Sequence, residues 1–168
     1  AAAAPLIAPY VPNAPAITNR FAAPSAEHWF GTDELGRDVF SRLLYGTRIS
    51  IMIGLVPTLI SMTIGTILGL AGGFYGGKID FVIMRFADIV LAFPSLLLAM
   101  VVMYTLGASL INIFIALSIV QWAGTARVIR SQTLSLKEKE FVEAARSLGV
   151  RKWIIMLRHI LPNCIPNL

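Results

Sequence analysis

ISIMIGLVPTLISMTIGTILGLA, residues 49–71, runs for 23 positions without a charged side chain. A helix of that length is about 34 Å long, enough to cross the hydrocarbon core of a bilayer. Gly65, Gly69 and Gly73 stand four apart along its second half and just past its end, a seam of small residues that predicts close approach of a second helix. Pro57 predicts a kink.

Working outward, the rest of the chain has the same character. It is 57% hydrophobic and only 14% charged, where soluble domains sit near one half and one quarter. Phe81 to Tyr104 reads as a second span broken by Pro94, and Leu110 to Ala126 as a third. Asn112 and Gln121 in the third span are expected to form interhelical hydrogen bonds. Trp153 to Leu168 begins a fourth span, with Pro162 and Pro166 in its first turns. Arg85 and Asp88 lie three apart in the second span, so a local charge pair on one helix face is expected. Residues 1–10 read as the exit of a preceding membrane helix, since they have no basic flank of the kind a signal peptide carries. Val11 to Pro24, with Pro12, Pro15 and Pro24, reads as an extended linker. Asp33 to Tyr45 places Val39, Phe40, Leu43 and Leu44 opposite Arg37, Asp38, Ser41 and Arg42, a helix suited to a membrane surface. The fold class is therefore all-α, a polytopic transmembrane bundle. Residues 11–48 form an external segment and 49–168 the core, and the chain reads as incomplete at both ends.

Orientation follows from the basic residues. Four lie in Val11 to Arg48, and the other ten lie in Lys78, Arg85 and the stretch Arg127 to Arg158. The excess marks the side carrying residues 127–158 as cytoplasmic and residues 11–48 as external.

The cytoplasmic loop holds the most informative polar stretch, SLKEKEFVEAARSLGVRKWIIMLRHILP, residues 135–162. Ser135 with Glu138 spells a capping box. Phe141, Val142, Ala145 and Leu148 then recur at spacings of three and four, as one face of a short amphipathic helix. Gly149 stands where a helix closes in a left-handed residue, and a second helix enters the apolar run Trp153 to Leu157. Such a helix fits a groove on a partner protein, with Phe141 or Leu148 as anchor. DNA recognition is the rival for a basic helix–turn–helix, but the second helix shows apolar side chains where base edges need polar ones. Nucleic acid is therefore not an expected partner. GGFYGGK, residues 72–78, nearly spells a phosphate-binding loop. It lacks the following Ser or Thr, since Ile79 stands there, and it lacks the preceding strand. A surface turn is the expectation, with any nucleotide bound elsewhere. One cysteine, Cys164, and two histidines, His28 and His159, supply no metal cage. No catalytic constellation is apparent.

Glu143-Ala144-Ala145, then Gly149, then Leu161-Pro162 resembles the EAA loop of binding-protein-dependent ABC importer permeases. HWFGTDELGRDVFSRLLYGTRIS (residues 28–50) and MRFADIVLAFPSLLLA (residues 84–99) are similar to the branch that imports dipeptides, oligopeptides or nickel. The resemblance implies a type I importer permease with six spans when complete. It implies two ATPase subunits carrying ATP and Mg, a second homologous permease, an external substrate-binding protein and a lipid setting. It also implies that Glu143, Ala144, Ala145 and Gly149 couple the chain to the ATPases. A membrane-anchored regulator and a passive channel are the competing classes. DNA retention by the loop would favour the first, and transport without an ATPase the second.

Overall fold

The computed structural model describes residues 4–165. In chain order these form α1 (Ala4–Ile7), a 3-10 turn (Ile17–Asn19), α2 (Val39–Tyr75), α3 (Gly77–Ala92) and α4 (Ser95–Leu106). α5 (Leu110–Leu136), α6 (Glu140–Ser147), α7 (Lys152–Ile154), a π-helical stretch (Ile155–Ile160) and α8 (Leu161–Cys164) follow. Among the described residues there is no strand, only an isolated bridge between Thr32 and Asp38. The chain divides into two compact units, with the boundary between Leu55 and Val56 inside α2.

In the first unit, Val11 to Pro24, read as an extended linker, is held in place along its length. Its backbone is tied to the residues before α2: the amide of Ala16 donates to the Leu35 carbonyl at 3.0 Å, Phe21 to Asp33 at 3.2 Å, and Thr32 to Ala22 at 3.1 Å. The loop is shaped by turns at Gly31 and Gly36, where a β-carbon would run into the carbonyls of Ala22 and Ala16. Asp33 lies in this turn rather than in a helix. It accepts from the amides of Leu35 (2.9 Å) and Arg37 (3.0 Å) and pairs with the guanidinium groups of Arg37 and Arg42. Burial alone would raise the Asp33 carboxyl, but the backbone donors of Arg37 and Leu35 and the two arginines hold it well below the usual range. The expected surface helix over Asp33 to Tyr45 thus begins later and does not stop. Asp38 caps it, accepting from the Ser41 amide at 2.7 Å, and α2 runs unbroken through Pro57 to Tyr75. His28 Nδ1 lies 3.0 Å from the other Asp38 oxygen, and Tyr10 stacks on the His28 ring at 4.8 Å.

In the second unit the expected second span is more sharply broken than a kink. Phe93 takes an extended conformation ahead of Pro94, because the proline ring clashes with a helical predecessor. α3 and α4 meet at 92° as a result. α2 and α5 are long and apolar enough to cross a membrane, and the bent α3–α4 pair makes a third span if counted as one.

α5 is capped by Ser109, whose hydroxyl accepts from the Asn112 amide. Asn112 makes the expected bond between helices, though only to the end of the adjacent α4. Its side-chain nitrogen donates to the carbonyls of Leu106 (2.7 Å) and Gly107 (2.8 Å), closing the α4–α5 turn. α5 then continues ten residues beyond Ala126, since Ile129 and Thr133 are both fully buried and keep its inner stripe packed. The glycine seam of α2 lies against this stripe. A β-carbon at Gly65 would stand 2.6 Å from Thr125 Cβ, at Gly69 2.6 Å from the Ala126 carbonyl, and at Gly73 2.7 Å from Thr133 Cβ. The segment expected to begin a fourth span is described as far as Ile165, in short helical pieces; Pro166 to Leu168 lie outside the described residues.

Candidate functional site

The loop after α5 departs from the capping-box reading. Ser135 sits in the last turn of α5, and α6 begins at Glu140 after Lys139, with no side-chain cap. The propagating α5 consumes the Ser135 position because Thr133 and Leu136 still face the core. Glu140 and Glu143 occupy the first turn of α6 and Arg146 its last, each with the sign that the helix dipole favours.

α6 ends in a corner built by Gly149. Its φ is +73°, a region costly for residues with a β-carbon. The Gly149 amide donates to Arg146 at 2.9 Å and the Val150 amide to Ala145 at 3.1 Å, the paired bonds of a Schellman closure. Leu148 is the capping residue, with φ −77° and ψ 3°, so its side chain leaves the apolar stripe of the helix. It is 82% exposed.

The two faces of α6 are therefore divided differently from the sequence reading. Val142 is fully buried and Ala145 nearly so, in one cluster with Leu70, Ile129, Ile155, Ile160 and Cys164. Phe141, Glu143, Ala144, Leu148 and Gly149 are exposed. Of the two alanines only Ala144 is available to a partner; Ala145 is small because α6 lies close on the core. A cavity of about 440 Å³ beside α6 is lined by Lys137, Glu138, Glu143, Arg146 and Ser147. A second, of about 480 Å³, lies between the end of α2 and the corner, lined by Phe74, Tyr75, Arg146, Val150, Lys152 and Ile155. Arg146 lines both, and its guanidinium stands 5.7 Å from the centroid of the Phe74 ring.

Beyond the corner the chain widens. The Leu161 amide bonds the Met156 carbonyl, five residues back, just ahead of Pro162, which has no amide to give and would crowd the carbonyl of Arg158. Ile155 and Ile160 at either end of this π-helical stretch are fully buried against the same cluster.

The expected Arg85–Asp88 pair does not form. Asp88 pairs with Arg127 of α5 at 2.5 Å, while the Arg85 guanidinium lies 5.2 Å from the ring centroid of Phe81, one turn earlier. Helical side chains lean toward the N-terminus, so Arg85 points away from Asp88. A second pair that spacing along one helix could not reveal joins the same two helices. Arg130 grips Asp80 through both its Nε and its Nη2, the latter at 2.5 Å. The usable sequence signal was charge itself: a carboxylate near the membrane needs a partner, and Arg127 and Arg130 stand just past the end of the expected third span.

Residues 61–168 match the family model described as "Binding-protein-dependent transport system inner membrane component". The chain is 47% identical over 88% of its length to the dipeptide transport system permease protein of Alkalihalophilus pseudofirmus, covering 49% of that relative. It is 46% identical over 86% of its length to the glutathione transport system permease protein of Pectobacterium atrosepticum, covering 48% of it. With the probable D,D-dipeptide transport system permease protein of Escherichia coli the identity is 44% over 98% of the chain and 55% of the relative. The chain spans about half the length of the curated relatives it matches. The matched region takes in the second part of α2 and all of α3 to α8, glycine seam and hinged loop together, and the chain belongs to the family of binding-protein-dependent transport system inner membrane components.

Proposed function

We propose that the chain is part of the permease subunit of an ATP-driven importer of dipeptides or oligopeptides, and that α6 is its docking helix for a separate ATPase subunit. The observation that carries this is the division of α6. Its inner face, Val142 and Ala145, is locked into the cluster that also holds α2, α5 and the start of the next span. Its outer surface presents Phe141, Glu143, Ala144 and the projecting Leu148. A helix so mounted passes any push on its outer side into the spans. The names of the relatives, permease proteins for dipeptides, glutathione and D,D-dipeptides, support the substrate class.

On this reading the α6 end faces the cytoplasm, in keeping with the ten basic residues on that side, and residues 11–48 lie outside. Two ATPases bind ATP and Mg, a second permease completes the pathway, and an external binding protein delivers the peptide. ATP draws the ATPases together and their grooves carry the α6 helices inward as rigid bodies. The spans then alternate between inward- and outward-facing states. Glu143 supplies a carboxylate for a basic or amide group on the ATPase, and Ala144 permits close approach.

The test is purification of the full-length protein from its own membranes. The expected result is recovery of an ATPase pair and a second permease, with peptide uptake that stops when Glu143 is changed to Lys. Recovery without any ATPase, or normal uptake by Glu143→Lys, refutes the reading.

A further inference from the structure

We infer that the two ion pairs between α3 and α5, Asp80 with Arg130 and Asp88 with Arg127, are the link that makes the broken span move with the α6 loop. The inference rests on the reading of α6 as the ATPase-docking helix. α5 is continuous from Leu110 to Leu136 and leads into α6 through only three residues, so a displacement of α6 arrives first at the end of α5 that carries Arg127 and Arg130. α3 carries its acids two turns apart and leads into the 92° break at Pro94. Between the two helices the charged contacts are direct. Arg130 uses two nitrogens on the two oxygens of Asp80, a planar fork that resists rotation as well as separation. The side chains of this pair are only 32% and 17% exposed. The close packing that ties α5 to α2 needs no such help, since it is made by the glycine seam.

The cost of charge near a membrane is the reason to look for a role. Two apolar residues would pack α3 on α5 at no desolvation penalty, and breaking one partner of such a pair leaves an uncompensated charge. What an ion pair adds is direction and a fixed register. Asp80 and Arg130 are thus positioning residues. They act through α3 on the bend at Pro94.

The experiment uses the full-length protein in membranes with its ATPases, and compares Arg130→Gln, the double neutral Asp80→Asn with Arg130→Gln, and the exchange Asp80→Arg with Arg130→Asp. Peptide taken up per ATP hydrolysed is expected to fall about tenfold or more in the first two and to return in the exchange. The double neutral is decisive because it strands no charge. A merely structural pair would recover there, and that recovery would overturn the inference, as would unchanged coupling in Arg130→Gln or failure of the exchange to restore it. A second readout is independent of transport. Spin labels at Val82→Cys and Val128→Cys, with Cys164 and every other native cysteine of the full-length protein replaced by Ala, should show one narrow α3–α5 distance in the otherwise unaltered protein and the exchange, and a broadened one in the double neutral. Equal widths in all three overturn the link. If the distances behave as expected while the unaltered complex shows no ATP-driven uptake, the transport reading fails and the link stands.

Discussion

The amide of Val150 reaches back to the carbonyl of Ala145 at 3.1 Å, and that bond sets the direction in which the chain leaves α6. It requires the intervening Gly149 to hold its φ of +73°. A β-branched residue there carries a left-handed penalty of about 1–2 kcal/mol. No neighbouring atom would meet a β-carbon at this position, so the cost is conformational alone. Gly149→Val should therefore leave the protein in the membrane yet re-aim α6 and lower uptake per ATP. Gly149→Asn, which tolerates the left-handed region, should retain most of it. Equal loss in both variants would contradict the conformational account.

Val142 and Leu148 lie on the same helix but should respond in opposite ways. Val142→Ala opens a cavity in the cluster around Ile129 and Ile155 and should cost about 1–3 kcal/mol of thermal stability. Leu148→Ser touches a side chain 82% exposed, so stability should change by less than about 0.5 kcal/mol. On the proposed docking reading its loss should weaken ATPase binding by about tenfold. Melting in detergent and ATPase titration check the two halves.

The glycine seam offers a steric test. Gly69→Leu would place its β-carbon 2.6 Å from the Ala126 carbonyl and 2.8 Å from Ile129 Cβ, so α2 and α5 must separate. A loss of about 1–3 kcal/mol or more is expected. At Gly124 on α5 no atom would meet a β-carbon, and Gly124→Ala should be neutral or stabilising by up to about 1 kcal/mol. Thermal denaturation of the two variants discriminates seam from spacer.

Acid should loosen the loop before α2 through Asp38. Burial would raise its carboxyl, but the hydroxyl and amide of Ser41 and the ring of His28 outweigh this and lower it. A group depressed in the folded state stabilises it above the ordinary carboxylate range and loses that effect as pH falls through the lower, folded value. The cap should therefore hold at neutral pH and fail only below about pH 4. Asp38→Ala should remove about 1 kcal/mol at neutral pH and flatten the acid response. Hydrogen exchange at the Ser41 amide, corrected for the intrinsic effect of pH, measures both.

Some of the molecule could be read from residues in order. An uncharged 23-residue run must be a helix in lipid, because only a helix satisfies its own backbone groups there. Gly149 after an amphipathic octet must be a corner, because its neighbours in sequence make the bonds that close it. Pro94 had to interrupt its span, since the restriction acts on the adjacent residue. Each of these is a local effect, with cause and consequence within a few positions.

Other features depended on what a distant segment brought. Spacing alone joined Arg85 to Asp88, yet Asp88 found Arg127, 39 positions away, and Asp80 found Arg130, 50 away. Whether Ala145 faced a partner or the core depended on Ile129, Ile155 and Cys164 converging beneath it. A side chain's options are set by its own chemistry and its nearest turns, but which option it takes is decided by the groups that folding places opposite it.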